Sequence, residues 1–265
     1  MRANHQPSTG NRQPIFTIIT IVYNSENVLE GTIHSVLNQT FQNYEYIIID
    51  GASKDKTLDI IEKYADKITK MISEPDKGLY DAMNKGLNLA TGDFVLFLNA
   101  GDRFYSTDIL EKIAGKVTED IDIIYGETML VNDNREELGT RSDKTTHRLP
   151  ENLTWKSFCY GMSVCHQSIF VRRTMASPYI EKNLAADMDW IITAVKKSRK
   201  NVNAHLIVSA YLVGGVSKQK HKQSLKDRFF VLQKNYGVLP NVFNHFVIAL
   251  KALKYSVIGA FHSLS

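Results

Sequence analysis

The sequence predicts an α/β protein with a mostly parallel central sheet, helices on both faces and further helices at the C-terminal end. Three observations predict it. Strand-like runs alternate with segments of helical periodicity from residue 16 to residue 98, and a β-α-β-α order feeds a parallel sheet. The runs Phe16–Tyr23 and Phe94–Leu98 are apolar almost throughout, as in strands covered on both faces. The runs also end in polar turns such as D-G-A-S-K-D-K and L-N-A-G-D, and open α/β sheets gather ligands at the carboxyl ends of their strands.

Taken in order, F-T-I-I-T-I-V-Y (Phe16–Tyr23) is rich in β-branched residues and reads as a buried strand. Glu26 to Gln39 places Val28, Leu29, Ile33, Val36 and Leu37 at helical spacing. A second strand, Tyr44–Asp50, leads to a helix over Thr57–Tyr64, and a third, Ile68–Ile72, leads through S-E-P-D-K-G to a helix over Leu79–Leu89. Phe94–Leu98 is the fourth strand. Beyond it the pattern weakens: a helix near Thr107–Val117, a strand at Ile121–Tyr125, a hairpin across Glu127–Arg141 and a strand at Gln167–Val171. A helix beginning near Asp187, a strand over His205–Val213 and two closing helices complete the reading.

The chain has 265 residues, 43% hydrophobic and 23% charged, which suits one large domain with a tail or two small ones. Cys159 and Cys165 are too few for a disulfide framework, and with His166 beside Cys165 they match no zinc spacing. A reduced, cytoplasmic setting is the simpler expectation. Residues 1–14 lack an apolar stretch of the signal-peptide kind and read as a disordered lead-in. Charge is uneven: from Trp190 onward there are twelve Lys/Arg and one acid, a net +11, whereas the first 189 residues carry 20 Lys/Arg and 27 Asp/Glu, a net −7. The basic part suits nucleic acid, anionic lipid or a phosphorylated substrate.

The first strand is followed by Y-N-S-E-N, so the G-x-G-x-x-G dinucleotide fingerprint is absent, as is G-x-x-x-x-G-K-[ST]. The strand ends instead offer Tyr23, Asp50, Asp76, Asn99 and Asp102. A ring can stack on a nucleobase, one carboxylate can accept from base or ribose, and another can reach phosphates through a cation. Read singly, each is equally a turn or cap residue, Asp102 being placed to cap a helix beginning near Asp108.

These segments resemble family 2 glycosyltransferases of the GT-A fold: I-V-Y-N-S-E, D-G-A-S-K-D-K-T, S-E-P-D-K-G-L-Y-D-A-M-N-K-G-L-N-L-A-T-G-D and F-L-N-A-G-D, then C-H-Q-S-I-F-V-R-R, A-A-D-M-D-W and G-G-V-S. The resemblance spans Phe16 to Ser217. It implies a GT-A catalytic domain over residues 15–236, with a C-terminal amphipathic helix over 237–265. It further implies an inverting enzyme that uses Mn2+ or Mg2+ and a nucleotide-diphosphate sugar, uridine being favoured over guanosine. The acceptor would be a glycan or lipid-linked glycan in surface polysaccharide or glycoconjugate synthesis, and no nucleic acid is involved.

Carried over by position, Asp102 is the metal ligand, Asn99 a ribose contact, Tyr23 and Asp50 nucleobase contacts, and Asp76 a base or ribose contact. Asp187 of A-A-D-M-D-W is the general base, with Asp189 its rival, while His166, Gln167 and Trp190 fall on the acceptor side. Two departures stand out. The common second Asp after strand two is Gly51, and the usual Arg of A-R-N-x-G is Met83. Lys218, Lys220 and His221 form a basic segment after G-G-V-S that could close over a diphosphate.

The closing segment has Val242, Phe243, Phe246, Val247, Leu250, Leu253, Val257, Ile258 and Phe261 at helical spacing but no uninterrupted apolar run of spanning length. It suits an interfacial helix on the inner face of an anionic cell membrane, or docking onto the domain or a second copy. A non-catalytic nucleotide-sugar-binding protein of the same fold is the alternative. A sugar-1-phosphate nucleotidyltransferase would need a G-x-G-T-R loop after the first strand, and the sequence has none.

Overall fold

A computed structural model describes residues 13–214 and 220–262, giving the backbone alone for 221 and 251–262. The first half of the chain forms β1 (Phe16–Val22), α1 (Leu29–Leu37), β2 (Tyr44–Asp50), α2 (Thr57–Glu62), β3 (Lys70–Ser73), α3 (Leu79–Leu89) and β4 (Phe94–Phe97). β3, β2, β1 and β4 lie side by side in that order and all run parallel. Every residue of β1 and β4 is buried, because alternate side chains enter different cores. Ile19, Ile21, Ile47, Ile49, Val95 and Phe97 pack with α3, while Ile18, Val22, Ile48, Leu96 and Leu98 pack with α1 and α2.

Beyond β4 the sheet turns mixed. β5 (Arg103–Phe104), α4 (Ile109–Ala114), β6 (Ile123–Val131), β7 (Glu137–Thr140) and the short α5 (Arg141–Lys144) precede β8 (Ile169–Arg172), α6 (Ala186–Lys197) and β9 (Asn201–Leu212). The order continues β4-β8-β6-β9-β5, with β6 parallel to β9 and the β4–β8, β6–β8 and β5–β9 pairs antiparallel. The strand expected at Ile121–Tyr125 and the first arm of the expected hairpin are one strand, β6. β9 begins four residues before the expected His205, and its register against β6 shifts around Gly126.

Two helices close the chain, α7 (His221–Tyr236) and α8 (Val238–His262). α7 docks on the start of α6: Lys234 Nζ and Asn235 Nδ2 each donate to Asp189 at 2.9 Å, and Leu184 N–H donates to Asp227 at 2.8 Å. Among the described residues no helix is long and apolar enough to cross a membrane.

Candidate active site

The parallel order brings the carboxyl ends of β1 to β4 to one edge, and with them Tyr23, Asp50, Asp76, Asn99 and Asp102. Tyr23 follows β1 and is 61% exposed. Its turn is stitched to the turn after β2: Asn24 N–H donates to Ser53 Oγ (2.8 Å), Lys54 N–H to Asn24 Oδ1 (2.8 Å) and Glu26 N–H to Asp55 Oδ2 (3.1 Å). Asp50 points inward. Its buried carboxylate accepts from the Ser53 amide, from Ser53 Oγ at 2.5 Å and from Ser73 Oγ at 2.6 Å, so it holds the turns rather than presenting itself to solvent.

Gly51 has a local reason. A Cβ there would stand 2.5 Å from Asp76 Oδ2 and 3.3 Å from Tyr23 Cδ2, so the Asp76 carboxylate fills the room of a side chain at 51. The other oxygen, Asp76 Oδ1, is buried without a hydrogen-bond partner. Burial raises the Asp76 pKa; Lys85 opposes the shift, and Asp81, Asp50 and Glu74 add to it. A donor arriving at Oδ1 would satisfy an oxygen that the protein leaves unpaired.

The turn after β4 is closed by Asp102 N–H to Asn99 O (2.9 Å) and by Gly101 at φ 98°, a region that glycine enters without strain. Thr32 Oγ1 of α1 accepts from Gly101 N–H (3.0 Å) and donates to Asp102 O (2.7 Å). The Asp102 side chain, 4% exposed, accepts from Gln167 Nε2 (2.9 Å) and from Leu212 N–H at the end of β9 (3.1 Å). Burial lifts its pKa to about 7 against both bonds and the Arg135 charge. The Asn99 side-chain oxygen is buried and unpartnered.

Asp187 sits in the first turn of α6, where its charge suits the helix N-terminus. Its Oδ1 accepts from Met188 N–H at 2.8 Å and lies 3.5 Å from the Tyr80 hydroxyl of α3. Burial raises the Asp187 pKa, while the Met188 bond, the Arg228 charge and Tyr80 pull it down. Asp189 is committed to α7 through Lys234 and Asn235 and is 6% exposed. Tyr211, raised by burial first, also feels the charges of Asp102 and Asp187. Packed side chains join the two carboxylates: Gln167 reaches Asp102, its neighbour His166 reaches Tyr179, Tyr179 stacks on Tyr80 (5.6 Å), and Tyr80 lies beside Asp187.

His166, Gln167 and Trp190, expected on the acceptor side, are buried instead. His166 stacks on Phe97 (5.3 Å, 24°), and its Nε2 lies 2.7 Å from the Tyr179 hydroxyl, whose ring stacks on Trp190 (5.0 Å, 10°). Burial lowers the His166 pKa to about 3, so it stays neutral inside an aromatic cluster. Gln167 faces Asp102 and positions it.

The family described as glycosyl transferase family 2 matches residues 17–178. The chain belongs to that family. This glycosyltransferase is 32% identical over 215 residues to the PGL/p-HBAD biosynthesis glycosyltransferase of Mycobacterium bovis, covering 77% of this chain and 79% of that one. It is 24% identical over 249 residues to the Escherichia coli UDP-Glc:alpha-D-GlcNAc-diphosphoundecaprenol beta-1,3-glucosyltransferase WfgD, covering 92% of this chain and 93% of that one. In fold it is similar to the mannosyltransferase PcManGT from Pyrobaculum calidifontis in complex with GDP-Man and Mn2+. The TM-score is 0.65 and the identity 15%, over 96% of this chain and 82% of that one. The fold is GT-A.

In this glycosyltransferase no group of three or more His, Cys, Asp or Glu among the described residues could hold a metal ion. The turn after β4 nevertheless suits a hard cation. An ionised carboxylate has about four lone-pair sites; Gln167 and Leu212 use part of this capacity, and the Asn99 oxygen is unpaired. Asp102, with the Asn99 oxygen that the resemblance assigned to the ribose, fits Mg2+ or Mn2+ only when a diphosphate supplies the remaining ligands. Sequence reasoning missed Tyr80, Tyr211 and Arg228 around Asp187. Their signal was present only in part: Tyr80 lies within the quoted K-G-L-Y-D-A-M-N segment. Lys218 lies outside the described residues.

Proposed function

We propose that this glycosyltransferase moves a sugar from a UDP-sugar to a hydroxyl of a glycan or lipid-linked glycan, inverting the anomeric centre, in polysaccharide or glycoconjugate assembly. The observation that carries the reading is the run of contacts that links Asp102 to Asp187, from Gln167 and His166 through Tyr179 to Tyr80. The Tyr23 ring offers the nucleobase a stacking face, and Asp76 Oδ1 accepts from base or ribose. Asp50 orders both turns from behind. Asp102 and Asn99 would hold Mn2+ or Mg2+; bound there, the ion supplies charge neutralisation for the departing diphosphate.

Asp187 takes the proton of the acceptor hydroxyl as that oxygen bonds to the anomeric carbon. The bond from the same carbon to the diphosphate oxygen breaks, and its electron pair leaves on UDP. Attack opposite the leaving group inverts the centre. Burial keeps Asp187 more basic than an ordinary Asp, which favours proton acceptance near neutral pH.

The name of the E. coli relative supports a uridine donor and a lipid-linked acceptor. That of the mycobacterial relative supports glycoconjugate synthesis. The test is Asp187→Asn, which should lower kcat by a factor on the order of 10³ while UDP binding by calorimetry stays within about twofold. Wild-type turnover in that variant, given a working acceptor, overturns the assignment. Donor binding by the wild type without any turnover would instead favour the non-catalytic alternative.

A further inference from the structure

α8 is amphipathic in an inverted sense. Asn241 and Asn244 are buried, at 0% and 8% exposure. Asn241 Nδ2 donates to Phe229 O of α7 (3.2 Å), and His245 packs on the Phe229 ring (4.8 Å). The side of α8 turned toward protein is therefore polar. Its large apolar residues point the other way: Leu239 is 84% exposed, Phe243 64%, Phe246 62% and Leu250 51%. These four lie at i, i+4, i+7 and i+11, which is a single stripe on a helix. Val238 and Val242, both more than half exposed, widen it. A helix that buries asparagine while showing phenylalanine to water leaves an apolar face to be covered by something else.

We propose that this face docks on an anionic lipid bilayer. Charge decides the occupant. From Arg228 to the end of the chain no acidic residue occurs, and the nearest one, Asp227, is buried and bonded to Leu184 and Gln223. Lys222 and Lys226 of α7 are exposed, and Lys226 Nζ lies 6.0 Å from the Phe230 ring, itself 50% exposed. A second copy docking face to face would set cation against cation with no carboxylate between them. An anionic bilayer offers an apolar phase for the stripe and negative charge for the lysines together. Since no described helix is long and apolar enough to span, α8 lies along the interface. α7 is fixed to α6 through Asp189, so docking would hold the start of α6, with Asp187, close to the lipid. The glycosyl-transfer reading gives this docking its purpose, but the docking surface does not depend on it.

The experiment is co-sedimentation of the full chain with vesicles. Binding is expected to vesicles of phosphatidylglycerol mixed with phosphatidylcholine. It should be at least about tenfold weaker to phosphatidylcholine alone and reduced at about 0.5 M salt. Phe243→Glu with Phe246→Glu should lower vesicle binding at least about tenfold, with thermal melting and the rate on a soluble acceptor unchanged. Absence of wild-type binding, or undiminished binding by the double variant, overturns the proposal. So does a wild-type dimer in light scattering that the double variant disperses while neither protein binds vesicles, because the face then belongs to a second copy. Vesicle binding reads the surface and soluble-acceptor turnover reads the chemistry, so the two readings fail separately.

Discussion

Asp76 and Gly51 form a unit at the donor edge: the carboxylate of one occupies the room that the other leaves. Gly51→Asp would press its Cβ and a like charge onto Asp76, and UDP binding by calorimetry should weaken at least about tenfold. Asp76→Ser alone should also weaken binding, by loss of its acceptor, yet the double variant should bind better than the sum of the two single losses allows; strictly additive losses would refute the coupling. Asp187 sets a second expectation. A base acts only when ionised, and its pKa is raised, so the acid limb of kcat/KM should fall at higher pH than that of an ordinary Asp, whose pKa is about 4. Arg228 opposes the rise, and Tyr80, Tyr179 and Tyr211, the other titratable groups around the carboxylate, are themselves raised. Arg228→Gln should therefore move the limb to still higher pH, and a limb that stays in place removes Arg228 from the site. Asp102 and Asp187 could be proposed from the sequence because each stands in a short local motif. The positioning of Asp102 by Gln167, 65 residues away, was not legible, nor was the use of Asp189 for docking α7. Those roles are settled by which distant segment packs against the carboxylate.

Among the elements, β1 and β4 emerge from the sequence because a strand buried on both faces is apolar almost throughout, and β2 through its Ile47–Ile49 run, although it also buries Glu45 and Asp50. β9 was harder. Its run N-V-N-A-H-L-I-V-S-A-Y-L mixes buried and half-buried positions, and His205 at φ 55° marks an irregularity opposite Gly126. A bulge of this kind breaks the two-residue alternation on which sequence reading depends. β5, only two residues long, has no periodicity to detect. The helices joined by Asp189 offer an element-scale test. Asp189→Ala removes the bonds to Lys234 and Asn235, although Lys234 is 57% exposed and the ion pair alone contributes little. A loss of about 1 to 2 kcal/mol is expected in urea unfolding. Faster amide exchange in α7 should accompany it, with a fall in kcat as Arg228 loosens beside Asp187. Unchanged exchange in α7 would show that its anchor lies elsewhere.

At the scale of the whole molecule, the two halves divide the work and the charge. In the proposed reading, residues up to Asp102 would supply the donor edge, while α6 and α7 would supply the base Asp187 and the cation Arg228 that lowers its pKa. A ligand that touches both halves should stabilise the whole chain by mass action. The metal makes this testable, because one carboxylate and one amide oxygen bind a divalent ion weakly until a diphosphate completes the shell. Manganese alone should shift Tm by less than about 1 °C, and UDP alone by somewhat more through Tyr23 and Asp76. Both together, at about a hundred times Kd, should add about 2.7 kcal/mol, or roughly 5 to 10 °C for a chain of this size. The joint shift should exceed the sum of the separate ones, since each ligand completes the other's site. Asp102→Ala should abolish that excess and leave the nucleotide-only shift. A full shift from manganese alone would point to a preformed metal site elsewhere. A UDP shift indifferent to manganese would remove the ion from donor binding altogether.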